Sequence, residues 1–598
     1  MQGKKGQWVQ IHDTVLEPSE RAPQVPDDTK QVPLLMWVKG YLAADAGIGE
    51  ECEVTTLTGR TVRGVLDEIE PSYSHGFGKY VPEFAAIRDQ VKNMPAAGRG
   101  ESGAPLSAPG TAAPPPGPAA PTSAAPPPGT PKKDMSYAAV MSRRNGIMKQ
   151  SIGIDYSDFE LGGIAFDYER MMREAGYTLE EIAEIQNGVS VGNTPIIELP
   201  NITALARKVS KTGRAARIFI KDEACNPSGS FKARRAAAAV YHAAKLGYKG
   251  VLTATSGNYG AAVACQAAKR GLECIVVQEC YDSKKTGQPE IIEKQRACEA
   301  MGAEVVQLSV GPELFYVFLS LLEETGYFNA SLYTPFGIAG VETLGAEIAS
   351  QFMAKFGRHP DVCLVTHAGG GNLTGTARGL RKAGAPDTKV VGVSVDLAGL
   401  HMASDRDFNR KSFTTGHTGF GMPFATLPDR SDVPRNAARS LRYIDRYLSV
   451  KQGEVFYVTE ALAALEGLER GPAGNTSLTA AFALAQEMDD NRMIVVQETE
   501  YTGAGKHHMP QLTFAKQNGI EVLFGDPDTE VPGKSIVFPA DPSLIKLRDY
   551  DLGKIRRSYI KNNVKPGQEL TEAEIRYLME ETNSAEEFVK ETIANLRP

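Results

Sequence analysis

Three short segments hold residue types that can do chemistry together. Asn226-Pro227-Ser228-Gly229-Ser230-Phe231-Lys232 ends on a lysine that opens an Ala-rich apolar stretch. A lysine there is placed to be partly buried. Burial disfavours the ammonium, and a neutral amine can attack a carbonyl carbon to form an imine. In Thr255-Ser256-Gly257-Asn258-Tyr259-Gly260, free backbone N–H groups can receive a carboxylate, and the Asn258 amide can donate to a phenolate oxygen. His367-Ala368-Gly369-Gly370-Gly371-Asn372-Leu373-Thr374-Gly375 sets consecutive glycines before a helix start, which lets backbone approach an anion closely. Taken alone, Lys232 is a surface lysine in most such windows, and a lone glycine loop is weak evidence. The order of the three segments, each between an apolar run and a helix, points to one site.

The other reactive side chains are less suggestive. Nine histidines form neither an HxH nor an HExxH pattern, and the seven cysteines (52, 225, 265, 274, 280, 298, 363) make no paired zinc-like spacing, so no metal is expected. His417 and the pair His507-His508 are candidates for the rim of a site. Cys225 stands just before the Lys232 loop and could be an acyl-carrying thiol, but a small buried cysteine is the simpler reading.

The elements that must position these loops follow from the pattern around them. Ile218-Phe219-Ile220, Val251-Leu252-Thr253, Ile275-Val276-Val277, Val305-Val306, Leu364-Val365, Val391-Gly392-Val393 and Ile494-Val495-Val496 are short apolar runs. Ala- and Glu-rich helical segments separate them, such as Phe231 to Lys245 and Tyr259 to Lys269. Continuous apolar strands between helices predict a mostly parallel sheet covered on both faces. In such sheets ligands sit beyond the carboxyl ends of the strands, where all three loops fall.

Upstream the pattern is different. Residues 1–94 read as a small β-barrel or β-roll, with strand-sized runs at Trp8-Val9-Gln10-Ile11 and Leu35-Met36-Trp37-Val38. A hairpin turns at Thr58-Gly59-Arg60, and Tyr73 to Gly78 could be a binding loop. Residues 95–134 are almost wholly Ala, Pro, Gly, Ser and Thr, with Leu106 the single leucine, and predict a disordered, extended spacer. Residues 135–598 carry all three loops. Near the end, Thr571 and Glu574 have the spacing of a helix capping box.

Composition narrows the function classes. The chain has 598 residues, 42% hydrophobic and 23% charged, enough for a large buried core. A net charge of −7 argues against a nucleic-acid backbone binder. No window approaches the roughly 18 apolar residues of a membrane span, and MQGKKGQWVQIHD lacks the apolar core of a secretory signal. With few cysteines, the expected setting is cytoplasmic.

Together the three loops resemble the fold-type II family of pyridoxal-phosphate enzymes, relatives of threonine synthase and the tryptophan synthase β chain. The resemblance covers roughly Gly188 to Gly525, including Gly192-Asn193-Thr194-Pro195. It implies two doubly wound subdomains and pyridoxal 5′-phosphate bonded covalently to Lys232, the catalytic proton carrier. It implies further that Asn258 lies beside the cofactor oxygen and that Gly369, Gly370, Gly371 and Asn372 hold the phosphate. Thr255, Ser256 and Gly257 would hold the substrate carboxylate. The strand end Glu498-Thr499-Glu500-Tyr501-Thr502-Gly503-Ala504-Gly505-Lys506 implies a partner for the pyridine nitrogen, with Thr502 preferred and Glu498 and Thr499 as rivals.

The β-rich start followed by this pyridoxal-phosphate region is similar to the two subunits of the 2-amino-4-oxopentanoate thiolase family. There the α and β parts are separate chains, and here the spacer joins them. That resemblance implies cleavage of 2-amino-4-oxopentanoate by coenzyme A to acetyl-CoA and alanine in ornithine breakdown. It also implies small-molecule substrates and a homo-oligomer, a dimer of the pyridoxal-phosphate domain. Alternatives are a β-elimination or replacement of the threonine-synthase or ammonia-lyase kind, and a non-catalytic cofactor-bearing scaffold whose β domain binds a protein.

Overall fold

In the N-terminal region the longer strands are β1 (Trp8–Leu16), β2 (Leu34–Leu42), β3 (Glu51–Thr55) and β4 (Thr61–Ile69). The structure is a computed structural model. It describes residues 2–596 except 26, 28, 72–82, 84, 85, 88, 89, 92–133, 176, 256, 282–286, 288, 310, 312, 398–424, 428, 430, 431 and 501–507. The expected Tyr73–Gly78 loop and nearly all of the 95–134 spacer lie outside the described residues. Along β1, Val9 and Ile11 point inward between more exposed neighbours, the period of two that a half-buried strand requires. β1 pairs with β2 and β4, β4 pairs with β3, and Tyr41–Leu42 of β2 pairs back with Thr55 and Val54 of β3. That last pairing closes a small antiparallel barrel around Val9, Ile11, Leu42, Val54 and Leu66.

After the spacer the chain alternates strand and helix as its apolar runs predict. The strands are β5 (Arg217–Asp222), β6 (Gly250–Ala254), β7 (Glu273–Tyr281), β8 (Glu304–Ser309), β9 (Val362–Thr366), β10 (Lys389–Val395), β11 (Arg446–Val450) and β12 (Met493–Glu498). The helices that matter to the site are α1 (Tyr137–Ile152), α2 (Lys232–Lys245), α3 (Asn258–Arg270), α4 (Leu314–Thr325), α5 (Pro335–Phe356), α6 (Gly371–Lys382) and α7 (Glu572–Thr582). Two sheets result. One runs Arg548–Asp549, β11, β10, β9, β12, β5, Ile196–Glu198, with its five labelled strands parallel. The other contains Phe328–Asn329, β6, β7 and β8, also parallel.

The second sheet does not end at β8. Met36, Trp37 and Val38 of β2 pair antiparallel with Leu308, Gln307 and Val306, so the barrel strand is also a strand of the α/β sheet. Leu16, Leu34 and Val38 share one apolar core with Val276, Val306 and Leu308. Polar contacts reinforce the seam: Lys39 Nζ lies 3.2 Å from Glu299, and Arg60 bonds Glu304. Beyond the spacer, Ser136 caps α1, and Arg143 pairs with Glu323 at 2.8 Å. Thr571 caps α7 and Glu574 returns the bond, forming the expected capping box.

The seam makes a testable point. A protease cut between Pro105 and Pro128 should leave two pieces that co-elute on size exclusion, because the β2–β8 ladder and the shared core do not pass through the spacer. Separation of the pieces at micromolar concentration would refute this.

Candidate active site

Lys232 is the first residue of α2, and a network of buried charge holds that helix in place. The fully buried Arg234 guanidinium donates to Glu223 at 2.7 and 2.9 Å and to Glu347 of α5 at 2.8 Å through each of two nitrogens. Thr194 of the Thr-Pro dipeptide donates to Glu223 at 2.6 Å, and Lys221 donates to Glu347 at 2.6 Å. Burial alone would raise the Glu347 carboxyl, but Arg234 and Lys221 carry it down to about 2. These charges therefore stay paired, and removing one partner would strand the others in the interior.

The loop before Lys232 is stitched to the end of β12. Phe231 N donates to the Thr499 carbonyl at 3.1 Å, and Ser230 bridges Glu500. Lys232 Nζ lies 4.6 Å from the Phe231 ring centre and 3.8 Å from Glu500 Oε2, with the side chain 19% exposed. Asn258 opens α3, and its amide donates to the same Glu500 oxygen. Thr255 Oγ1 accepts from Gly257 N at 3.0 Å and shapes the turn into α3.

The glycine loop leads into α6. Gly370 takes φ +81°, a left-handed conformation suited to glycine, and no side chain caps the helix. Its first N–H groups are therefore left for a ligand. At Gly371 a Cβ would fall on Arg235 Nη2, so only glycine admits that guanidinium.

These groups line one cavity of about 190 Å³ where the carboxyl ends of the two sheets meet. Lys232, Arg235, Thr255, Gly257, Asn258, Gly369, Gly370, Gly371, Asn372, Thr499 and Glu500 all face it. Two features fit a phosphate. Arg235 is 3% exposed, yet its Nε and Nη2 have no hydrogen-bond partner among the described residues. Asn372 is 7% exposed, and neither polar atom of its amide has a hydrogen-bond partner among the described residues. A buried guanidinium without a counter-charge is costly, and burial lowers the Arg235 pKa accordingly. An anion between Arg235 and the start of α6 removes that cost. The residues present thus suit a phosphate at one end and a carbonyl carbon bonded to Lys232 at the other.

The structure brings together Lys232, Thr255, Gly257, Asn258, the glycine loop and Thr499. Ser256, Thr502, His417 and His507 lie outside the described residues, as does the His508 side chain. Glu498 is fully buried at the strand end, and neither of its oxygens has a hydrogen-bond partner among the described residues. Burial, with Asp222 nearby, raises its carboxyl well above the usual range. Cys225 differs from the expected buried cysteine. It is exposed in the short turn after β5, and desolvation together with Asp222 pushes its thiol up to about 11. At neutral pH it is therefore a thiol and a poor nucleophile. Among the described residues no cluster of three His, Cys, Asp or Glu could hold a metal ion.

Arg235, Glu500 and Tyr333, whose hydroxyl stands where a Gly369 Cβ would go, escaped the sequence reading. The one available signal was Arg234-Arg235 inside an alanine run, where two consecutive charges cannot both reach solvent from a buried helix.

The comparisons define the class of protein. The chain belongs to the pyridoxal-phosphate dependent enzymes, whose family model matches residues 189–499. Its particular relatives are thiolase subunits. The 2-amino-4-ketopentanoate thiolase beta subunit of Acetoanaerobium sticklandii is 69% identical over 467 residues, covering 78% of this chain and 99% of that one. Residues 2–95 match the family described as AKP thiolase subunit OrtA. The alpha subunit from the same organism is 57% identical over 97 residues, 16% of this chain and 96% of that one. Cystathionine beta-synthase of Oryctolagus cuniculus is 27% identical over 326 residues, 51% of this chain and 52% of its own length.

Proposed function

We propose that the chain cleaves 2-amino-4-oxopentanoate with coenzyme A to acetyl-CoA and alanine. One observation carries the reading: counterparts of both thiolase subunits, 69% and 57% identical, occur in this single chain. Residues 1–94 and 135–598 are read as those counterparts, and residues 95–134 as their join. The balance is simple. The thiol sulfur bonds C4, the C3–C4 bond breaks, and the proton lost from sulfur is matched by one gained at C3.

Pyridoxal phosphate, when bound, withdraws electron density from the amino-bearing carbon and its neighbour. The protein's residues do the rest. Lys232 anchors the cofactor and carries a proton at the α-carbon. Asn258 orients the ring oxygen. Thr255, Ser256 and Gly257 hold the carboxylate, and Arg235 with Gly369 to Asn372 holds the phosphate. Enclosure between the two sheets keeps water from the reacting carbons. The same reading places the enzyme in ornithine breakdown, in the cytoplasm, as a dimer of its pyridoxal-phosphate domain. The free cysteines support an intracellular setting, and no described helix is long and apolar enough to cross a membrane.

The direct test incubates the pure protein with the amino acid, with and without coenzyme A. Equal amounts of acetyl-CoA and alanine are expected, with neither formed when coenzyme A is absent. Ammonia release or β-replacement products instead would overturn the proposal. A second test concerns the ring nitrogen. Thr502→Ala should keep the cofactor bound and slow α-proton exchange about tenfold, the scale of one lost hydrogen bond. Thr499→Ala, at a residue facing the cavity, is the control. A larger effect from Thr499→Ala would move the role to that residue.

A further inference from the structure

A buried ion pair links the barrel to the cavity wall. Arg21 Nε donates to Glu313 Oε1 at 2.7 Å, and Nη2 donates to Oε2 at 3.1 Å. Ala22 N donates to Oε1 at 3.1 Å. Three N–H groups of the N-terminal region thus converge on one carboxylate. Arg21 is itself braced, with Nη1 donating to the carbonyls of Val32 at 2.7 Å and Thr29 at 3.3 Å. The two side chains are 1% and 0% exposed.

Glu313 occupies the N-cap of α4 without capping it, so its carboxylate is turned toward Arg21 instead. The next two residues, Leu314 and Phe315, line the active-site cavity. Two residues upstream, Gly311 N donates to Glu279 Oε1 at 2.9 Å, and Glu279 lines the cavity as well. The space for a Cβ on Gly311 is taken by Arg21 Nη2 and Glu313 Oε2. Leu35 N bonds Ser309 Oγ at 3.0 Å where this segment leaves β8. Ser309, Gly311 and Glu313 therefore contact the N-terminal region, while Leu314 and Phe315 line the cavity. Among the described residues, positions 1–94 add no side chain to the cavity itself.

An ion pair taken out of water returns little net stability, and losing one partner leaves an uncompensated buried charge. We propose that Arg21 is a positioning residue of the active site. Through Glu313 and Gly311 it sets Leu314, Phe315 and Glu279 as the wall of the substrate pocket. In the proposed assignment the glycine loop takes the phosphate, and the turn into α3 takes the substrate carboxylate. The apolar Leu314–Phe315 wall suits the uncharged acetyl group, whose carbonyl the thiol must reach. The barrel would then govern thiolysis while leaving cofactor capture alone. The kinetic half of this proposal rests on the thiolase reading.

The experiment uses the full chain loaded with pyridoxal phosphate. Arg21→Met should leave the cofactor dissociation constant within about twofold. It should speed hydrogen exchange across residues 309–325 and lower kcat/KM for thiolysis by about tenfold or more, the scale expected when reacting groups are misplaced. Arg21→Lys, which keeps the charge but loses the fork, should fall between. If Arg21→Met fails to fold, Arg21→Met/Glu313→Gln removes the stranded charge and should show the same exchange and kinetic changes. Unchanged exchange at residues 309–325, or faster exchange with full kcat/KM, overturns the proposal. A wild-type chain that does not thiolyse refutes the thiolase reading, and the exchange result still decides this one.

Discussion

Lys232→Ala is expected to abolish both turnover and the visible absorbance of covalently held cofactor. The lysine opens α2 at the cavity, and the buried Arg234–Glu223–Glu347 network below holds the helix rather than the lysine itself. Removal of the Lys232 amine therefore leaves the fold intact while taking away the anchor and the proton carrier together. Loss of one positioned acid–base group alone costs on the order of 10²–10⁴ in rate. Loss of the covalent bond as well should bring turnover to background. Circular dichroism and thermal midpoint should match the parent. Retained turnover in Lys232→Ala, measured as acetyl-CoA formed, would sink the assignment of the site.

Arg235→Met has the second large expected effect, with opposite signs in the two states of the protein. Without ligand, the guanidinium is buried with Nε and Nη2 unpaired, so an apolar side chain of similar length should raise the thermal midpoint of cofactor-free protein. With ligand, two charge-assisted bonds to phosphate are lost, each about 1.5–3 kcal/mol, so affinity for pyridoxal phosphate should fall roughly a hundredfold or more. Pyridoxal without the phosphate should bind parent and variant alike. Fluorescence or absorbance titration separates the cases, and an equal loss for both ligands would show that Arg235 does not face the phosphate.

The sequence made some of this legible and hid the rest for physical reasons. Strands such as Ile218–Ile220 and Ile494–Val496 are buried on both faces, so unbroken apolar runs announce them. The Thr571–Glu574 box is local and can be read from spacing alone. Lys232, Asn258 and the glycine loop were legible because each sits at a strand–helix junction with its own composition. Arg235 was not, since a burial that leaves a charge unpaired has no signature in residue order. Nor was the β2–β8 seam. Trp37 and Gln307 lie far apart in the chain, and each strand reads as complete in itself. Residue order therefore shows a barrel and a spacer but not the sheet that joins the barrel to the α/β region. Cys225 misled in the opposite direction, because a cysteine between acidic residues and a proline turn faces outward.

The shared strand also bears on how the molecule is made. Synthesis proceeds from the N-terminus, and the barrel depends on contacts among residues close in sequence, so it can form while β8 is still unmade. Met36 to Val38 then wait as an exposed strand edge, a surface prone to pairing with any other chain on a crowded ribosome. In a two-chain relative, the complementary edge must be found by collision, and dilution works against it. Here the template and the strand it receives emerge from one ribosome. The pairing of Met36–Val38 with Val306–Leu308 is thus intramolecular, and its closure carries a loop entropy instead of a dependence on concentration.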